Sequence, residues 1–141
     1  MKKKITIPSN LQCLSIVRHF IKETIPKKKF KKTTIDQIVL AIDEACSNII
    51  EHSFEMDESK EFTLTLNFDK EKVTFVIEDK GVGMKISKCK KLNLKKYIKQ
   101  RKEGGLGKFI IENVMDEVKY SRKGTKNRLS LVKYFDKNGA G

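Results

Sequence analysis

Residues 33–52 read TTIDQIVLAIDEACSNIIEH, and this stretch decides how the rest of the chain is organised. Ile35, Ile38, Val39, Ile42, Cys46, Ile49 and Ile50 recur at helical intervals and make one apolar stripe. Thr34 and Gln37 stand at capping-box spacing, which predicts the helix start. At about 100° per residue, Glu44 and Asn48 project to the side opposite the stripe, with His52 one turn further on. The pattern predicts a long central helix whose far side carries a carboxylate and an amide one turn apart. Polar groups on that side face either water or a ligand.

Working outward toward the N-terminus, Lys3 to Ile7 suit a short strand that Pro8 and Ser9 stop. Ser9 and Gln12 repeat the capping-box spacing, and Leu11, Leu14, Ile16, Val17, Phe20 and Ile21 make an amphipathic helix that ends before Pro26. The run Lys27 to Lys32, with Phe30 its lone apolar residue, reads as a basic loop. Toward the C-terminus, Phe62, Leu64, Leu66 and Phe68 alternate with Thr63, Thr65 and Asn67, the period of a half-buried strand. A turn at Asp69 to Lys72 leads to an apolar strand, Val73 to Ile77, closed by Glu78 and Asp79 and broken by Gly81 and Gly83. These two strands are predicted to pair as a hairpin.

Residues Lys85 to Lys102 are lysine-rich with isolated apolar points, a composition that reads as a lid. Phe109, Ile110, Ile111 and Val114 then suit a helix, and Val118 to Ser121 and Arg128 to Phe135 suit two strands around Gly124. This order predicts an α+β fold: a two-layer α/β sandwich with one mixed, mainly antiparallel sheet covered on one face by three helices.

At 141 residues the chain fits one compact domain, residues 1–141, with a real core. Hydrophobic residues make up 38% and charged residues 35%, and the apolar ones fall in periodic runs, which excludes global disorder. The three cysteines, Cys13, Cys46 and Cys89, show neither pairing nor zinc-ligand spacing, so a reduced, cytoplasmic protein is the simple inference. Thr6, Pro8 and Ser9 interrupt the only place where a signal peptide would need an apolar stretch, and no segment reads as a membrane span. The net charge of +13 predicts attraction to polyanions, whether nucleic acid, nucleotides or an acidic protein surface. No RNA-binding aromatic signature accompanies the lysines, which argues against nucleic acid as the primary ligand.

Three short segments carry chemistry. In phosphoryl transfer to a hydroxyl, a carboxylate accepts the proton of the attacking oxygen while magnesium bridges phosphate oxygens, so Glu44 and Asn48 suit the roles of base and magnesium ligand. Taken alone, Glu44, Asn48 and Glu51 also fit the solvated face of an amphipathic helix, and His52 fits a structural hydrogen-bonder. Asp79 follows a strand too apolar to be exposed. A buried carboxylate there needs a donor, which an adenine amino group supplies, although a turn capped by an aspartate fits equally. Gly104, Gly105, Leu106, Gly107 and Lys108 lead straight into a helix, where backbone amides and a helix N-terminus meet a triphosphate, or where a hinge flanks the lid. It is not a Walker A loop, because Lys102 and Phe109 stand where Gly and Ser or Thr are required.

With these residues in order, the chain resembles the bacterial anti-sigma-factor serine/threonine kinases, small members of the GHKL (Bergerat-fold, histidine-kinase-like) ATPase superfamily. Glu44, Ala45, Asn48 and His52 look like the N box. Asp79, Gly81 and Gly83 look like the first glycine box, and Gly105 and Gly107 through Met115, Asp116 and Glu117 like the second. The resemblance implies Glu44 as base, Asn48 as magnesium ligand, Asp79 with Gly81 and Gly83 at the adenine, and Gly104, Gly105, Leu106, Gly107 and Lys108 at the phosphates. It implies ATP and Mg2+ as cofactors and a basic ATP lid at about 84–107. It also implies a homodimer that binds a sigma factor and phosphorylates an anti-anti-sigma antagonist protein, in regulation of transcription. The chain departs from the family pattern at Glu103 and Gly104, where Arg and Ser often precede the glycines; Arg101 or Lys108 are the candidates to substitute. A non-catalytic ATP-gated protein-binding module is the alternative, and a basic nucleic-acid binder the third reading.

Overall fold

The computed structural model describes residues 1–82 and 106–136, and of residues 106–108 the backbone alone. Strands β1 (Lys2–Pro8), β2 (Glu61–Phe68), β3 (Lys72–Asp79), β4 (Glu117–Lys123) and β5 (Lys126–Tyr134) form one five-stranded sheet in the order β1-β2-β3-β5-β4. Helices α1 (Leu14–Thr24), α2 (Lys32–Asn48) and α3 (Leu106–Val114) supply the second layer. The expected α+β sandwich is the observed one. All the strand pairings among the described residues are antiparallel, so the parallel component of a mixed sheet is not among them.

The period of two decides which strand residues enter the core. Phe62, Leu64 and Leu66 on β2, Val73, Phe75 and Ile77 on β3, and Leu129 and Leu131 on β5 are buried against Val17, Ile21, Ile38, Ile42, Ile50 and Ile111 from the helices. Each such side chain contributes about 1.5–3 kcal/mol on burial, which is why a chain with 35% charged residues still folds. The second hairpin turns at Gly124, whose φ of 60° is left-handed and suits glycine. Lys133 closes α3 at its C-terminal end, its Nζ donating to the Val114 carbonyl at 2.8 Å.

Both helix starts differ from the capping-box expectation. Asn10, not Ser9, caps the turn that leads into α1, its Oδ1 accepting from the Gln12 amide at 2.9 Å. Lys27–Lys29 form a 3-10 turn, and α2 begins at Lys32, two residues before Thr34, with no cap from its own N-cap side chain. The acceptor comes from the far end of the chain: Asp136 Oδ2 lies 2.8 Å from the Lys31 amide and 3.5 Å from Thr34 Oγ1. Phe135 packs edge-on against the buried Phe30 at 5.4 Å, and the Asp136 amide donates to the Lys29 carbonyl at 3.0 Å. Replacing Asp136 by alanine removes the acceptor and leaves the packing, so a loss of about 0.5–2 kcal/mol is expected in urea denaturation.

Candidate functional site

The site is built where α2 gives out. After Asn48 the helix continues as a π-helical turn, Ile49–Ser53, with Phe54 N donating to the Ile49 carbonyl and Met56 N to the Ile50 carbonyl, both at 2.8 Å. Glu55 and Met56 then take left-handed φ values of 51° and 64°, a conformation that non-glycine residues hold only when the surroundings impose it. The extra residue in a π turn shifts the register. It carries Ser53 inward, at 2% exposed. His52 is exposed, its Nε2 4.0 Å from Glu51 Oε2, and among the described residues it makes no hydrogen bond of the structural kind expected.

Ser53 reaches the end of β3. Asp79, only 7% exposed, takes the Ser53 hydroxyl on Oδ1 at 2.7 Å, the Gly81 amide at 2.8 Å and the Asn127 side-chain amide at 2.9 Å. Three donors thus converge on one oxygen of a buried side chain. Among the described residues none donates to Oδ2. Val82 N donates in turn to the Ser53 carbonyl at 2.9 Å, so the glycine loop is laced to the end of the helix.

Gly81 is required here by space rather than by backbone angle. A Cβ on it would run into the Ser53 hydroxyl, the Ser53 carbonyl and the Phe54 ring. The carbonyl belongs to backbone and cannot swing aside. Gly81→Ala is therefore expected to lower stability by about 1–3 kcal/mol, read as a reduced midpoint of thermal or urea denaturation.

Glu44 and Asn48 stand one turn apart on α2, about 6 Å along the axis. They are less solvated than an outward face implies. Asn48 is 8% exposed and Glu44 is half-buried, in a helix that packs against both α1 and α3. Partial burial, then the neighbouring charges of Asp43 and Glu51, raise the Glu44 carboxyl above its usual value, the direction that makes a carboxylate a better base. Cys46 between them is fully buried and its thiol is pushed up by burial, so it acts as a small core residue; Cys13 and Cys46 are both free thiols.

Among the described residues no group of three or more His, Cys, Asp or Glu is placed to hold a metal ion alone. The Asn48 side chain, buried and without a described hydrogen-bond partner, offers a single neutral oxygen. This fits magnesium, which takes one or two protein ligands and completes its shell with phosphate oxygens and water.

Leu106, Gly107 and Lys108 fall in the first turn of α3, as expected of residues leading into a helix. Gly83, Gly104 and Gly105, most of the expected lid, and Cys89 lie outside the described residues. An open groove of about 510 Å³ beside Gly81 is lined by Ser53, Phe54, Lys80, Val82, Arg122 and Thr125 among others; Glu44, Asn48 and Asp79 are not in its wall.

Sequence reasoning missed Ser53 and Asn127. Asn127 carried a readable signal, because it shares the core-facing parity of Leu129 and Leu131 and is 1% exposed. A polar residue at the buried end of an otherwise apolar row needs a buried partner. Ser53 carried none, since its position depends on the π turn.

A family model described as histidine kinase-like ATPase domain matches residues 7–133. The serine-protein kinase RsbW of Bacillus cereus (strain ATCC 10987 / NRS 248) is 25% identical over 121 residues, 83% of this chain and 75% of that protein. The RsbW of Bacillus subtilis (strain 168) is 23% identical over 121 residues, 82% of this chain and 75% of that protein. Among solved structures, the RsbU and RsbW domains of a Mycobacterium tuberculosis protein superpose with a TM-score of 0.67 at 15% identity, covering 96% of this chain. This chain spans 32% of that longer one. A chain from the SiaB-SiaC complex of Pseudomonas aeruginosa superposes with a TM-score of 0.62 at 12% identity, covering 94% of this chain and 89% of its own. At these identities the structural likeness concerns the fold.

Proposed function

We propose a function from one premise: this chain belongs to the histidine kinase-like ATPase domain family. It is an ATP-dependent protein serine/threonine kinase that acts as an anti-sigma factor, holding a sigma factor as a homodimer and phosphorylating an anti-anti-sigma antagonist. All 141 residues form one such domain with a basic lid at about 84–107, working in the cytoplasm. Curated relatives named serine-protein kinase RsbW support the reading. Among the described residues no helix is long and apolar enough to cross a membrane.

The observation that carries it is Asp79, a buried carboxylate whose Oδ1 is saturated and which ends a strand beside a glycine that leaves no room for a Cβ. An ionised carboxylate accepts and cannot donate, so it suits an adenine amino group. The Gly104, Gly105, Leu106, Gly107 and Lys108 segment, whose last three residues begin α3, would offer amides to the phosphates. Asn48 would hold magnesium together with phosphate oxygens, and the ion supplies charge neutralisation on the β- and γ-phosphates. Glu44 takes the proton of a serine or threonine hydroxyl as that oxygen bonds to the γ-phosphorus; the bond from phosphorus to the bridging oxygen breaks and ADP leaves.

The test mixes the protein and Mg2+ with γ-labelled ATP and a small antagonist domain, sought first among the products of neighbouring genes. Label on a serine or threonine of the antagonist is the expected result. The departure at Glu103 and Gly104 favours a second reading, an ATP-gated binding module. ATP-dependent association without label would establish that reading and overturn the kinase.

A further inference from the structure

We propose that the β4–β5 hairpin completes the base-recognition site, with Asn127 as the positioning residue that presents Asp79 to a 6-aminopurine and Arg122 and Tyr120 holding Asn127 in turn. The inference rests on the nucleotide reading above and adds residues to it.

Asp79, Asn127 and Arg122 form one cross-strand row: Asp79 stands opposite Asn127 in the β3–β5 ladder, and Asn127 opposite Arg122 in the β4–β5 ladder. All the bonding positions of the Asn127 amide are filled. Its nitrogen donates to Asp79 Oδ1 at 2.9 Å and to the Gly81 carbonyl at 3.0 Å. Its oxygen accepts from the Tyr120 hydroxyl at 2.9 Å and from Arg122 Nη1 at 2.8 Å. Arg122 Nη1 also reaches the Gly81 carbonyl at 3.1 Å. A flipped amide would set oxygen against the Asp79 carboxylate and nitrogen against a guanidinium, so Arg122 fixes the orientation in which Asn127 donates.

The consequence concerns which base fits. With Oδ1 occupied by the Ser53, Gly81 and Asn127 donors, Asp79 is held in one rotamer, and among the described residues nothing competes for Oδ2 as the acceptor toward a ligand. An amino group at the purine 6-position bonds to it; a 6-oxo group repels it. Loss of the Asn127 donor frees the carboxylate to turn, which weakens its bond to a 6-amino group and relieves its repulsion of a 6-oxo group. Asn127 thus acts through Asp79 on selectivity as well as on affinity.

The experiment is calorimetric titration of ADP and of inosine diphosphate, each with Mg2+, into the parent, Asn127→Leu and Arg122→Ala, alongside thermal melting without nucleotide. The parent is expected to prefer ADP. Asn127→Leu is expected to weaken ADP roughly 10–100-fold, the value of a hydrogen bond to a charged group, while inosine diphosphate changes by no more than about threefold. Arg122→Ala, on the exposed edge strand, is expected to shift the ratio the same way by roughly 3–10-fold and to melt like the parent. Equal weakening of both nucleotides, or none of either, overturns the inference and leaves a structural role for Asn127. If Asn127→Leu does not fold, Arg122→Ala decides by the same criterion. A parent that binds neither nucleotide overturns the functional reading itself, and the inference with it.

Discussion

Replacement of Glu44 by glutamine is expected to lower phosphoryl transfer to the antagonist by roughly 10²–10⁴-fold, the usual contribution of a general base, with ATP affinity held within about twofold. Glutamine keeps the shape and the helix propensity and removes only the ability to accept a proton. The pH dependence should carry the same signature. Burial, then Asp43 and Glu51, raise the Glu44 pKa, so transfer rises with pH through an inflection above the ordinary 4.5 and flattens once the carboxylate is ionised. In Glu44→Gln that inflection should vanish. The same shift sets a sign for stability. The folded state holds this proton more tightly than the unfolded chain, so the associated stability is full below 4.5 and is lost as pH rises through the raised value. At neutral pH glutamine avoids placing a charge in this partly buried spot, and Glu44→Gln should be at least as stable as the parent. A variant that lost transfer by unfolding would show the opposite.

The second large effect is expected at Asp79. Asp79→Asn keeps the volume but replaces an acceptor that serves the Ser53 hydroxyl, the Gly81 amide and the Asn127 amide, and turns a charged partner for the adenine amino group into a neutral one. At about 1.5–3 kcal/mol for a hydrogen bond to a charged group, ATP affinity should fall by at least roughly 10-fold. Here binding and transfer should be lost together at limiting ATP, unlike Glu44→Gln, where transfer alone is lost. Calorimetry and single-turnover transfer on the two variants separate the roles. Equal affinity in Asp79→Asn and parent would remove Asp79 from the base site.

Elements whose signals are local were legible in the sequence. The apolar stripe from Ile35 to Ile50 marked α2, and alternation from Phe62 to Phe68 marked β2 and its hairpin partner. What stayed hidden depends on residues far apart in the chain. Nothing near Lys32 announces that Asp136 will satisfy the start of α2, so the nearby Thr34 and Gln37 pointed to the wrong first residue. The site divides along the same line. Asp79 was legible because an acid ending so apolar a strand must be buried. The π turn that brings Ser53 to it was not, because the helical pattern runs on unbroken through Ile50 and gives no sign that the turn widens. Arg122 was one cation among many in a chain of net charge +13, and only the ladder register sets it against Asn127.

The central claim is that an adenosine phosphate and its magnesium ion bind between α2, the end of β3 and the start of α3. Titration of the folded protein with a slowly hydrolysed ATP analogue in the presence of Mg2+ tests it most directly. A saturable heat with one site per chain, weakened in Asp79→Asn, is the predicted result. A flat trace up to about 1 mM analogue, where even a binding free energy near −4 kcal/mol would register, would contradict it.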